Sequence, residues 1–331
     1  MSVSSMRHSK LLIGSAALLL AGVANAQVSV YGLVDLSYGK NELVTGKGSK
    51  ADFHSGGDDG SSQGNSTTRL GVSTSTEVAP GIKANTKFET NGITSSGDVP
   101  APFFNRQAWA GLSGSFGEVR LGKQDSVVFQ TQAPFDFNGA ANAASAFVNS
   151  GVAAYLPGRQ DRSLQYISPV FSGVKVQVGF QPEGNVAGAK SNYSIGATYT
   201  LGGLSIGAAA ETKRTATSEN FGSLAATYDF SVVKVMASYT DGGTLTKGGT
   251  GKGAGVGITA PVAGFNVGLN FGRNSDTQDK ALEVFANREV FKNTTVYLDL
   301  GRLDTKGTNP IFTTLTSGKY STYALGMIYA F

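Results

Sequence analysis

The residues that could perform covalent chemistry are few and lie close together. Gly60-Ser61-Ser62-Gln63-Gly64 has the G-x-S-x-G spacing at which hydrolases hold a nucleophilic serine. His54 is the one histidine outside the first 26 residues, and Asp58 and Asp59 supply acids beside it. Acyl transfer needs that serine on a tight strand-to-helix turn, with the base held in register. Here the segment is polar and has no helical periodicity, so it reads as a solvated loop. Asp52, Asp58 and Asp59 could hold a divalent cation weakly, but their spacing is not that of an EF-hand. Gly251, Gly253, Gly255 and Gly257 run into a strand pattern rather than a phosphate-binding helix. They read as small lumen residues or as close packing between subunits. Cysteine is absent, which removes thiolate chemistry, disulfides and cysteine metal sites. No catalytic, cofactor-binding or metal site is expected, and no enzyme.

The elements that would position such groups begin with an export signal. Arg7 and Lys10 precede the apolar run from Leu11 to Leu20, and Ala24-Asn25-Ala26 supplies the small residues read by signal peptidase. The run is short of the roughly 20 apolar residues a spanning helix needs. The expectation is a signal peptide over 1–26, cleaved between Ala26 and Gln27, and one domain over 27–331.

Glycine makes up 45 of the 331 residues and charged residues only 15%. A soluble domain usually carries about 25% charged residues, and a helical membrane protein would show long apolar spans. This chain has neither. Lipid-facing surface can still be buried if apolar and polar residues alternate, as in a transmembrane barrel. The net charge of +4 shrinks once Arg7 and Lys10 leave with the signal, and gives no reason to expect nucleic acid as a partner.

That alternation recurs from end to end. Val174, Val176, Val178 and Phe180 alternate with Lys175, Gln177, Gly179 and Gln181; Ile82, Ala84 and Phe88 alternate with Lys83, Asn85, Lys87 and Glu89. Short links such as Ala79-Pro80, Ser172-Gly173 and Ala263-Gly264 take turns with long polar ones, the third spanning 128–160. Short turns at one end and long loops at the other are the asymmetry of outer-membrane barrels. The count is about 16 strands, even as closure requires. The last strand puts Tyr323, Leu325, Met327, Tyr329 and Phe331 on one face, and the chain ends on an aromatic at girdle depth.

The sequence resembles the general porins of Gram-negative bacteria, in their β-proteobacterial branch. The likeness covers 27–331 and is carried by Val30-Tyr31-Gly32-Leu33-Val34-Asp35, Thr68-Arg69-Leu70-Gly71-Val72, Asn105-Arg106-Gln107-Ala108-Trp109-Ala110-Gly111-Leu112 and Gly117-Glu118-Val119-Arg120-Leu121-Gly122-Lys123-Gln124. Arg162-Ser163-Leu164-Gln165-Tyr166, Ser168-Pro169 and the terminal Phe331 complete it.

The resemblance implies an all-β, 16-stranded antiparallel transmembrane barrel, trimeric, with the third long loop folded into the pore. It implies residence in the outer membrane, passage of small hydrophilic solutes and inorganic anions, contact with lipid and lipopolysaccharide, and dependence on the barrel-assembly machinery. Tyr329 and Phe331 would belong to the assembly signal. By motif, Arg69, Arg106 and Arg162 would stand on the pore wall opposite acids of the third loop. Parity with Leu70 and Val72 turns Arg69 inward; Arg106 would share a face with Ala108 and Ala110, leaving Trp109 to lipid or a neighbour. Arg162 sits at a strand end, where parity is not a guide, and all three could instead be rim arginines. The loop holds one acid, Asp136, and one base, Arg159, with Asp161 at its exit. That shortage of carboxylates points to a mild anion preference. The alternatives are a substrate-specific channel for sugars or organic acids, an outer-membrane barrel enzyme, and a soluble secreted β-protein.

Overall fold

A computed structural model describes residues 27–331 except 59–62, 141, 157, 185–186, 216–217, 243–250, 308 and 310. The signal segment and cleavage residue Ala26 lie outside the described residues, as do Gly60, Ser61 and Ser62 of the hydrolase-like pattern.

Alternation dictates strands, and sixteen of them close a barrel. They are β1 (Gln27–Asn41), β3 (Arg69–Ala79), β4 (Ile82–Glu89), β5 (Gln107–Gly114), β6 (Gly117–Asp125), β7 (Arg159–Ile167), β8 (Val174–Gln181), β9 (Asn192–Leu201), β10 (Leu204–Glu211), β11 (Phe221–Asp229), β12 (Lys234–Gly242), β13 (Gly253–Val262), β14 (Phe265–Asn274), β15 (Lys280–Phe291), β16 (Thr294–Thr305) and β17 (Gly318–Ala330). Each pairs antiparallel with its neighbour in the chain, and β17 returns to β1 from Leu33↔Ala330 to Asn41↔Thr322. Phe331 exchanges backbone hydrogen bonds with Gly32, at 3.1 and 3.0 Å, so the terminal aromatic is stitched into the seam. Closure leaves no strand edge to be satisfied in lipid.

A seventeenth strand, β2 (Asp52–Ser55), was not expected. β3 begins at the Leu33↔Arg69 pair, whereas β1 runs on to Asn41, so the far end of β1 has an open edge. β2 folds back from the first long loop and pairs with Leu36–Gly39.

The two faces have opposite chemistry. On β15, Leu282 and Val284 are exposed, while Ala281, Glu283 and Phe285 are buried. Outward apolar residues form the lipid-facing band, and Phe116, Phe171, Phe230 and Phe291 stand exposed at the short-turn end, where an aromatic girdle belongs.

The third long loop explains how a wide barrel buries so much of its inner face. It contains helix α2 (Val127–Gln132), a 3-10 turn (Ala133–Phe135) and helix α3 (Ala146–Ser150); a shorter helix, α1 (Glu42–Thr45), lies in the first loop. Ser126 caps α2 by accepting from Phe129 N–H at 2.9 Å. Phe135, Phe147, Val152, Ala153 and Tyr155 pack with Ala225 and Met236 of the wall.

The wall receives the loop on glycines. A Cβ at Gly255 would stand 2.6 Å from the Phe147 ring, and one at Gly301 would stand 2.8 Å from Cα of Ala144. Gly207 lies under Phe135, and Gly272 under Ser150 and Ala146. Of the two readings open for Gly253, Gly255 and Gly257, the inward one holds, since Val152, Phe147 and Phe137 sit over them.

Candidate functional site

Five adjacent strand ends bring one group of charged lumen side chains together. Arg69 opens β3, Glu89 closes β4, Arg106 precedes β5, Asp125 closes β6 and Arg159 opens β7. All are long-loop ends, so antiparallel order places them side by side. Arg106 Nε pairs with Glu89 Oε1, its Nη1 donates to Asn91 Oδ1 at 3.1 Å, and its backbone N–H bonds Glu89 O at 3.1 Å. The other Glu89 oxygen accepts from Tyr31 OH at 2.8 Å and lies 3.7 Å from Lys87 Nζ. Arg159 Nε lies 3.1 Å from Asp125 Oδ1, with the guanidinium over the Phe129 ring. Arg69 is held by neutral oxygens, donating to Ser66 Oγ at 3.3 Å and Thr67 O at 3.1 Å. Arg69, Lys87, Glu89, Arg106, Asp125 and Tyr31 line a cavity of about 350 Å³. Arg69, Lys87, Arg106 and Arg159 thus face Glu89 and Asp125, four bases against two acids.

Three expectations change. Arg162 does not join this group. Gly122 pairs with Ser163 but Gln124 with Gln160, so β7 carries an extra residue and the alternation breaks. Arg162 takes φ +51° in that bulge and is exposed, apart from Arg69, Arg106 and Arg159. Trp109 faces inward. β5 starts at Gln107, so Arg106 precedes the regular alternation; Gln107 and Trp109 share the buried face, with Trp109 Nε1 donating to Gln107 Oε1 at 2.9 Å and Arg120 stacked over the indole at 4.5 Å. Asp136 does not oppose the arginines. Its Oδ2 accepts from Tyr155 OH at 2.8 Å, and it is buried beneath the loop. The acids that meet Arg106 and Arg159, Glu89 and Asp125, come from strand ends. Glu89 was readable in the alternation Lys83, Asn85, Lys87, Glu89; nothing in that pattern alone singled it out.

Asp136 belongs to a second cluster across the lumen. Asn138 donates to Glu283 Oε1 at 2.8 Å and Asp299 Oδ1 at 2.9 Å, and Asn65 donates to Asp299 Oδ2 at 3.0 Å. Glu283 Oε2 accepts from Ala146 N–H and Asn270 at 3.1 and 3.0 Å. Asp35 accepts from Tyr297 OH and from the backbone of Asn65 and Ser66. Amides and hydroxyls of two loops, with Asn270 and Tyr297 of the wall, therefore cap four wall and loop carboxylates; among the described residues none of these acids has an ion pair. Burial, reinforced by Glu283, pushes the Asp136 carboxyl well above the usual range, and burial and Asp136 raise the Tyr155 hydroxyl. Elsewhere, His54 Nδ1 lies 3.8 Å from Asp58 Oδ2.

Tyr329 and Phe331 are exposed on the outward face with rings 6.1 Å apart. Gln27, at the expected cleavage point, opens β1.

A closed transmembrane barrel with an apolar outside, a charged lumen and an inward loop defines a class of membrane channel. The Gram-negative porin model matches residues 14–308, and the chain belongs to that family of outer-membrane proteins. It is 28% identical over 270 residues to an outer membrane porin protein of Bordetella pertussis, covering 69% of each chain. It is 31% identical over 178 residues to outer membrane porin protein 32 of Delftia acidovorans, 52% of this chain and 49% of that one. Its fold superimposes on an anion-selective porin from Comamonas acidovorans with TM-score 0.68 at 20% identity, covering 92% of this chain and all of that one.

Proposed function

We propose that this barrel lets small hydrophilic solutes cross the outer membrane passively, with a mild preference for anions. The observation that carries the reading is the excess of Arg69, Lys87 and Arg106 over Glu89 and Asp125 in one lumen cavity, with Arg159 paired to Asp125 beside it. A narrow polar passage between low-dielectric walls focuses such charge and raises the local concentration of anions. The Comamonas porin, named as anion-selective, has the same sign. Arg69, Arg106 and Arg159 act as the constriction bases; Arg162 and Asp136 do not.

The same reading makes the working form a homotrimer, as named for one solved neighbour, exported after cleavage between Ala26 and Gln27 and inserted by the barrel-assembly machinery. Tyr329 and Phe331 serve as part of the insertion signal, and lipid and lipopolysaccharide surround the trimer. The deciding measurement is the reversal potential of the purified protein in a KCl gradient across a planar bilayer. A sign showing anion preference, fading as salt rises, is expected, because the Debye length falls from about 8 Å at physiological ionic strength to about 3 Å at 1 M. A cation-selective sign overturns the reading. Saturable block by one sugar or organic acid would instead make this a substrate-specific channel.

A further inference from the structure

At the short-turn end of the lumen an acid and a base stand side by side without pairing. Asp229 closes β11, Lys234 opens β12, and the two are direct partners in the register. Directly opposed residues bring their Cβ atoms within about 5 Å. Both belong to the inward set. Buried Ser223, Ala225 and Thr227 alternate with exposed Leu224 and Tyr228, and Asp229 continues the inward series. Lys234 Nζ stands 5.7 Å from the ring centroid of Phe137, a residue of the inward-folded third loop. Among the described residues no ion pair joins Asp229 to Lys234. The ammonium rests on that aromatic face, and Asp229 Oδ1 accepts from Ser231 N–H at 2.7 Å within the turn.

A cavity of about 190 Å³ lies against both charges. Pockets for drug-sized molecules begin at roughly 300 Å³, so an occupant here is small. Ser231, Thr259 and Asn266 give the cavity polar edges, and Val233 and Pro261 give it an apolar side. Asn266 Oδ1 accepts from Thr259 Oγ1 at 2.6 Å. The Asn266 amide N–H groups have no protein acceptor among the described residues. No residue is shared with the cavity lined by Arg69 and Arg106.

One uncommitted acid and one uncommitted base on a small cavity disfavour a simple ion of either sign, because each repels what the other attracts. A molecule carrying both charges on one carbon satisfies both. We infer that this cavity is a transient binding site for a small α-amino acid, with its ammonium on Asp229 and its carboxylate on Lys234. Asn266 supplies a further donor to the carboxylate, and Val233 and Pro261 suit a short apolar side chain. The inference rests on the pore reading and names one class among the solutes the pore passes. Binding at so open a site is weak, as conduction requires of a site that solutes must leave.

The test measures binding of L-alanine to the detergent-solubilised protein by ligand-observed NMR titration. N-acetyl-L-alanine keeps the carboxylate alone, and L-alanine methyl ester keeps the ammonium alone. Wild type should bind L-alanine more tightly than either analogue. Asp229→Asn can still accept from Ser231, and Lys234→Met keeps most of the stem, so each removes little but charge. Either variant should weaken L-alanine about tenfold, as expected for loss of one charge-assisted hydrogen bond. The analogues should cross over: Asp229→Asn should strengthen N-acetyl-L-alanine, and Lys234→Met should strengthen the methyl ester. A merely structural role for the pair would not produce that crossover. Unchanged L-alanine binding in both variants overturns the site, as does equal weakening of all three compounds. Should a variant fail to fold, the wild-type comparison decides, and equal binding of the three compounds overturns the proposal. Because the titration needs no current, L-alanine binding by a protein that does not conduct would sink the pore reading and not the site, whereas conductance without binding would do the reverse.

Discussion

The lumen has two charged walls that treat their charges in opposite ways. Along β3 to β6, Arg69, Lys87, Arg106, Glu89 and Asp125 border open volume, with Arg159 of β7 paired to Asp125. Across from them, Asp35, Glu283 and Asp299 point inward from β1, β15 and β16, yet are covered by Asn65, Asn138 and the backbone of Ala146. Counting inward residues alone would give the pore acids on one side and bases on the other. Covering one wall changes that count. Donors of the two loops, not open volume, face those carboxylates. The permeating solute therefore meets mainly the basic wall.

The largest break in this contrast should come from unseating the loop. Gly301→Val places a side chain against the backbone of Ala144, which cannot rotate out of the way as a side-chain tip could. Overpacking of this kind costs typically 1–3 kcal/mol. The third loop should lift from β16, uncovering Glu283 and Asp299 as it moves. Single-channel conductance should rise several-fold and anion preference should fall together, with a lower thermal transition. A rise in conductance with selectivity intact would show that the acid wall never needed its cover.

Next in size is the opposite wall. Arg69→Ser with Arg106→Ser removes two of the three bases that line the cavity with Glu89 and Asp125. Reversal potential in a KCl gradient should move close to that of an unselective pore, and Arg106→Ser alone should move it part of the way. Glu89 then loses its guanidinium partner, but Lys87 and Tyr31 still hold it. If the double variant keeps the wild-type reversal potential, the arginines are structural.

The barrel itself was legible because lipid on one face and water on the other impose a period of two on every strand. Loop asymmetry and the terminal Phe331 completed the picture. The interior was legible only in part. Arg69 opens β3 directly before the regular alternation of Leu70 and Val72, from which its direction followed; Arg106 precedes β5 and Arg159 opens β7 ahead of a bulge, where loop geometry decides. Asp136 was misplaced because alternation says nothing about how a loop that folds inward turns its side chains. β2 was missed because it answers the unequal lengths of β1 and β3, which no local pattern records.

A smaller effect follows from pH. The Asp136 carboxyl is raised in the folded protein by burial and by Glu283, so the native state favours its protonated form. Stability associated with it is fully present below the unfolded carboxylate range, near pH 4. It is lost as pH rises toward the higher folded value. The loop should thus be held more firmly in mild acid than at neutral or alkaline pH. Asp136→Asn keeps the size and can still accept from Tyr155, so it should flatten that part of the dependence. Thermal unfolding across the pH range gives the comparison, and an unchanged slope in the variant would remove Asp136 from the loop anchor.

The smallest expected effect is the sharpest test of where the basic wall ends. Motif and strand order would group Arg162 with Arg69 and Arg106, and its loss would then lower anion preference about as much as Arg106→Ser. The extra residue in β7 opposite Gly122 and Gln124 turns it out of that group, while Ser163 and Gln165 beyond it remain buried. An exposed charge outside the focused field is screened by salt and adds little to selectivity. Arg162→Ser should therefore leave reversal potential and conductance at wild-type values. Arg159→Ser, three residues earlier and paired with Asp125, should shift the reversal potential toward cations. If the two variants behave alike, the bulge does not divide β7 as described, and the basic wall extends one residue pair further along the strand.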